Sequence, residues 1–230
     1  ISACLVGSEM CIRDMTTGDT NTTELSNNSY LNSNASAYKY HHTDEATRYN
    51  QSHGRHTWYT AASGSADATI SFTEVMKVDA SGYVTKPANP MFKAGMTASR
   101  TISSNGWHKI QFDTDTASDC FDVGNNFNTS NHRFTAPVTG YYQFGCNQRF
   151  DNGNNTYFRL AFYKNGSAGG QYVHGHSIYN DGDGFSYVSL TISSLIQLDA
   201  NQYVEVWAYS NSDTSWVTQR ESQFYGYLVG

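Results

Sequence analysis

Residues Phe121 to Phe144 read FDVGNNFNTSNHRFTAPVTGYYQF, and this stretch decides the fold. Asp122 is followed by Phe127, Phe134, Gly140, Tyr142 and Phe144, which puts aromatic anchors, a turn glycine and an alternating strand in one register. Arg133 to Ala136 suits a strand end and Pro137 to Gly140 supplies turn chemistry; Gly140 permits a backbone conformation that residues with a β-carbon resist. From Tyr142 onward, Phe144 and Cys146 fall on one face and Tyr141, Gln143 and Asn147 on the other, the period of a half-buried strand.

The same spacing resembles the signature of the complement component 1q globular head, in the tumour-necrosis-factor-like superfamily. That pattern asks for an aromatic, an Asn or Asp, an aromatic, a Phe, and then Gly, Tyr and Phe separated by single residues. Two positions depart from it: Thr116 stands where the opening aromatic is expected, and Cys146 where the last one is. A thiol can fill such an apolar slot. In SQFYGYLVG at the end of the chain, Phe224, Gly226 and Leu228 resemble the closing motif of that family. The resemblance implies an all-β, two-sheet jelly-roll head that assembles as a homotrimer. It also implies that Tyr141, Tyr142, Phe144, Tyr187, Phe224, Tyr225 and Tyr227 lie on strands of the interface sheet, some in the core and the rest turned outward by alternation.

Composition agrees with strands. Aromatics make up 14% of the 230 residues, with 17 Tyr and 19 Gly against 3 Pro, which favours short strands and tight turns. The net charge of -6 and the lack of any Lys/Arg run exclude nucleic acid as a partner. Cysteines 4, 11, 120 and 146 form no CxxC pair, so free thiols are expected. No apolar run approaches the roughly 18 residues of a membrane span, so no membrane insertion is expected, and the start lacks the basic flank of a secretory signal. An opening Ile in place of Met suggests a fragment.

Four regions follow along the chain. Residues 1–14 resemble the read-through peptide of a sequencing adaptor and are read as a non-native or disordered leader outside the fold. Residues 15–37, nearly all Thr, Asn, Ser and Gly, are read as a polar linker or thin shaft. Residues 38–86, with Tyr38, Tyr40, Tyr49, Trp58 and Tyr59, alternation at Ile70 and Phe72, and a hairpin through DASG at 79–82, are read as a short β-rich stem. This segment resembles the stem modules that precede the tip in bacteriophage tail fibres. Pro87 and Pro90 mark the boundary to the head, residues 87–230. Its strands are expected at Met91 to Gly95, Trp107 to Phe112, the signature, Tyr157 to Tyr163, Gln171 to Ile178, Phe185 to Ile192, Tyr203 to Tyr209 and the closing motif.

No GxSxG elbow, HExxH helix or phosphate loop is present, and the chain is read as non-enzymatic with no organic cofactor. His174 and His176 share a strand face, and a threefold axis would gather three such pairs around a transition-metal ion. Asp181 and Asp183 in NDGDG offer oxygens suited to calcium. In both cases an ordinary polar surface is the plainer reading. The expected function is that of a trimeric receptor-binding tip of a phage tail fibre or other virion appendage, attaching to a host cell-surface glycan or protein. The alternatives are an extracellular, secreted complement 1q-type ligand or lectin, with N-glycans at Asn128, Asn154 and Asn165, and a purely structural trimerisation head.

Overall fold

A computed structural model describes the backbone of residues 10–14 and residues 22–32, 36–117, 119–152, 156–166, 171–181, 186–212 and 214–230. Among these residues there is no helix, and the chain divides into two compact units, Ile1–Ala88 and Asn89–Gly230.

The first unit holds β1 (Met10–Asp14), β2 (Thr22–Asn27), β3 (Ser29–Leu31), β4 (Tyr38–Tyr40), β5 (Asp44–Ser52), β6 (Arg55–Gly64), β7 (Thr73–Val78) and β8 (Val84–Thr85). Six of them form an antiparallel sheet in the order β1-β2-β5-β6-β7-β8, and β3 pairs with β4. Residues 10–14, 22–27 and 29–31, in the stretches read as a leader and a shaft, are strands, with Met10 opposite Asn27 and Thr22 opposite Ser52. Ladder bonds come from the backbone, which a Ser/Thr/Asn-rich segment possesses in full, and the composition argument weighs only side-chain burial. Ile70 and Phe72 precede β7 in a loop, where Ile70 is buried with Tyr40, Ala46 and Ala61 and its N–H donates to the Tyr38 carbonyl at 2.8 Å. The Glu24 carboxylate accepts from the Tyr38 hydroxyl and from Asn50 Nδ2 at 2.9 Å, and pairs with Arg48, whose guanidinium lies 4.4 Å from the Tyr59 ring centre. A charged residue in the supposed shaft thus ties three segments together.

The second unit is a jelly-roll sandwich. Its strands are β9 (Met91–Gly95), β10 (Arg100–Ile102), β11 (Gly106–Lys109), β12 (Phe121–Val123), β13 (Phe127–Asn128), β14 (Arg133–Thr135), β15 (Gly140–Asp151), β16 (Thr156–Lys164), β17 (Gln171–Asn180), β18 (Tyr187–Leu198), β19 (Tyr203–Ser210), β20 (Trp216–Thr218) and β21 (Gln223–Leu228). One sheet runs β10-β20-β15-β21-β9-β12, with β18 along the other edge of β15; the second runs β13-β14-β19-β16-β17, with β11 also on β19. The last strand, β21, therefore sits inside the first sheet, between β15 and the first strand β9.

The signature residues build the core between these sheets. Phe127 and Phe134 face each other across β13 and β14, and both rings stack on Phe92 with centroids 4.9 Å apart. Phe224 meets Phe92 edge to face at 4.9 Å, and Phe144 lies 5.5 Å from Phe134. Asp122 caps the loop into this cluster, accepting the N–H groups of Asn126 and Phe127 at 3.1 and 2.9 Å. Gly124 and Asn125 turn in between with φ of 93° and 56°. The Tyr142 hydroxyl donates to the Val138 carbonyl at 2.7 Å, so the turn is fastened by the strand it starts. Gly140 does not take up the positive φ that a glycine permits. Its role is spatial, because a β-carbon there would press on the Leu228 side chain and the Gly230 carbonyl. Cys146 is buried in the core, where desolvation pushes its thiol pKa well up.

Candidate functional site

Alternation divides the seven aromatic candidates by face. Tyr142, Phe144 and Phe224 are fully buried, whereas Tyr141, Tyr187, Tyr225 and Tyr227 are 50%, 48%, 40% and 45% exposed on the outer face of the first sheet. The register shows what surrounds them. Across β18, β15, β21, β9 and β12 one outward row reads Leu195, Gln143, Tyr227, Met91 and Val123. The next reads Ser193, Gly145, Tyr225, Lys93 and Phe121.

These rows form a largely apolar surface interrupted by Gln143, Ser193 and Lys93. A β-carbon on Gly145 would collide with the Tyr225 ring, so that ring lies flat across the backbone of β15. Gln143 is turned sideways, its Nε2 donating to Ser193 Oγ at 2.7 Å and to the Phe144 carbonyl at 3.1 Å. Its amide is therefore satisfied within the row. Leu195 is 56% exposed and Phe121 43%. A shallow 250 Å³ hollow opens beside Met91, Phe121, Tyr225 and Tyr227. At its rim Lys93 pairs with Asp119, and that hydrogen bond holds the Asp119 carboxyl below its usual range. A contiguous apolar surface of this kind with a charged rim is the anatomy of a protein contact.

Tyr187 lies apart from these rows. It pairs with Asp151 in register, and the Arg149 guanidinium sits 4.4 Å from its ring centre. Arg149 grips Asp151 through two bonds of 2.8 and 3.0 Å and reaches Glu221 at 3.0 Å. Tyr187 thus covers a charge network at one end of the face.

The metal candidates lie on and just beyond one strand. His174 and His176 are exposed on β17, opposite Phe162 and Leu160. Asp181 follows that strand, and Asp183 lies outside the described residues. Among the described residues no group of three His, Cys, Asp or Glu side chains is placed to hold an ion. No helix among them is long and apolar enough to cross a membrane.

Leu195, Met91 and Phe121 escaped the sequence reading as members of this face. The signal for Leu195 was present, since the alternation of Ile192, Ile196 and Leu198 carries β18 six residues past the expected end at Ile192. Met91 and Phe121 become neighbours of Tyr225 and Tyr227 only through pairing between distant segments.

No protein family and no curated protein matches the chain. Among solved structures, it is similar to the globular domain of zebrafish complement 1qA protein, at 17% identity over 62% of this chain and 98% of that one, with a TM-score of 0.44. Eiger TNF from S. frugiperda is similar at 11% identity over 62% of this chain and 92% of that one, with a TM-score of 0.45. Murine APRIL is similar at 11% identity over 61% of this chain and 98% of that one, with a TM-score of 0.45.

Proposed function

We propose that the chain is a non-enzymatic adhesion protein whose second unit is the head of a homotrimer, acting as the tip of a phage tail fibre or similar virion appendage on a host cell surface. The observation that carries this reading is the pair of outward rows through Tyr227 and Tyr225, whose exposed aromatic and aliphatic side chains suit burial against the neighbouring copies of a ring. Three heads held together multiply weak contacts into firm attachment through effective concentration. Light scattering on the full chain tests the assembly: the expected mass is three times the 25.6 kDa of one chain. Leu195→Asp with Tyr227→Asp, which places one carboxylate at the end and one in the middle of the same row, is expected to give a folded monomer. A wild-type monomer, or a trimer indifferent to both substitutions, removes this face as the contact. Adsorption of the wild-type chain to host cells, with loss of adsorption in the monomeric variant, separates attachment from a purely structural head.

A further inference from the structure

The outer face of the second sheet carries a different chemistry. Outward from β16, β19 and β11 the register sets Arg159 beside Tyr209 and Trp107, Ala161 beside Trp207, and Tyr163 beside Glu205. Apart from Ala161, none of the outward residues on these three strands is aliphatic, whereas the first sheet displays Leu195, Met91 and Val123. The rings are mutually supporting. Trp107 lies 5.5 Å from both Tyr163 and Tyr209, Tyr163 lies 6.2 Å from Trp207, and Tyr172 of β17 closes the group 5.6 Å from Tyr163. The three pairs that include Tyr163 meet at steep angles, 78°, 65° and 83°, and so make walls and a floor. Tyr163 is the nearly buried floor, while Tyr172 is 56% exposed.

Two features keep this surface open and oriented. Opposite Ala161 stands Gly175, where a β-carbon would strike the Tyr172 hydroxyl and the Leu160 carbonyl, so the centre stays low and Tyr172 lies across it. Trp207 is fixed by its Nε1–H, which donates to Glu205 at 3.0 Å; Glu205 is buried and also pairs with Lys109 at 3.2 Å and Arg133 at 3.4 Å. Arg159 is the contrast. Its guanidinium rests 5.6 Å from the Tyr209 ring centre, and it has no carboxylate partner among the described residues.

We infer that this aromatic platform binds an acidic oligosaccharide, with sugar rings seated on Trp207, Tyr209 and Tyr172 and a carboxylate on Arg159. The inference rests on the adhesion reading and names its ligand class and site. Pyranose rings present C–H groups that suit the negative faces of aromatic rings, and rigid Trp and Tyr side chains give contact area at small entropic cost. The Arg159 guanidinium, without a carboxylate partner among the described residues, supplies a planar fork for a carboxylate. The aliphatic side chains that a protein partner would use are missing here.

The test uses the full chain on an array of sialic-acid-terminated and uronic-acid oligosaccharides with their neutral counterparts, followed by titration of the best binder monitored by tryptophan fluorescence. The two acidic arms identify which source supplies the carboxylate. Acidic glycans are expected to bind at least about ten-fold more tightly than neutral ones, the margin of a charge-assisted hydrogen bond. Arg159→Gln should remove that preference, and Trp207→Ala or Tyr172→Ala should weaken acidic and neutral binding alike, with the oligomer mass unchanged. Tyr172→Ala alters an exposed side chain and guards against misfolding in the tryptophan variant. Glycan binding that survives Arg159→Gln and Tyr172→Ala overturns the platform and leaves adhesion standing. A chain that binds no sugar yet adsorbs to cells also overturns the platform, and one that does neither overturns both readings.

Discussion

Replacing Phe92 with Ala tests the core that holds both faces in place. Phe92 is 1% exposed and touches the rings of Phe127, Phe134 and Phe224 at 4.9 Å. A buried Phe→Ala change costs about 3–5 kcal/mol from lost transfer energy and the residual cavity. Three close ring contacts put Phe92 toward the middle of that range or above it, so we expect about 4 kcal/mol. For a unit of this size that lowers the melting temperature by roughly 10–15 °C. It also lowers the urea midpoint by about 2 M if the denaturant slope is about 2 kcal/mol/M. The assay is urea unfolding of the full chain followed by tryptophan emission. Trp107, Trp207 and the fully buried Trp216 lie in the second unit and Trp58 in the first, so the signal reports chiefly on the head. Val138→Ala is the control, because Val138 is 47% exposed and lies outside the outward rows, and its loss should stay within about 0.5 kcal/mol. A cost below about 1 kcal/mol for Phe92, or equal costs at the two positions, would refute the stacked core.

Three further outcomes are expected. Asp122 and Asp113 should give opposite pH slopes in urea unfolding. Burial outweighs the two N–H bonds to Asp122 and raises its pKa, so its contribution is fully present below the unfolded value of 3.8 and is lost as pH rises through the folded value. At Asp113 burial is outweighed by hydrogen bonds from Thr97 and by Arg100, which lower the pKa; its contribution is present above 3.8 and lost as pH falls through the folded value. Comparing each wild-type curve with Asp122→Asn and Asp113→Asn checks the signs, and parallel slopes contradict them. Gly145→Ala should displace the Tyr225 ring, roughen the outward rows and lower the oligomer mass by light scattering while the head stays folded; an unchanged oligomer places the contact elsewhere. Cys146 should resist iodoacetamide at pH 8 in the native chain and react after unfolding, read by peptide mass mapping, because it is 1% exposed and its thiol is held protonated; native labelling would show the core to be open.

The sequence carried the core further than it carried the surface. Phe127, Phe134 and Phe144 are legible because spacing within one local stretch dictates which side of each strand they occupy. The strands at Thr22–Asn27 and Ser29–Leu31 were not, since Thr, Ser and Asn give no apolar period, and Thr22–Asn27 finds its partner only at Thr47–Ser52. Alternation assigns Tyr225, Tyr227, Trp207 and Tyr209 to outward positions, but it cannot say which of them become neighbours. Tyr227 meets Met91 through a ladder spanning nearly the whole head. For His174 and His176, period 2 gives a common face, while their place on an edge-facing stretch of β17 depends on the sheet order.

The position of β21 between β15 and β9 sets the timing of folding. While the head is being synthesised, β9 waits for a partner that arrives last, and the ladder joining Met91 to Tyr227 cannot form until nearly the whole head is available. Such long-range closure is slow, and an apolar strand left waiting invites association with other chains. In the proposed trimer the neighbouring copies would emerge in the same state, so assembly would have to follow closure within each chain for exchanged strands to be avoided.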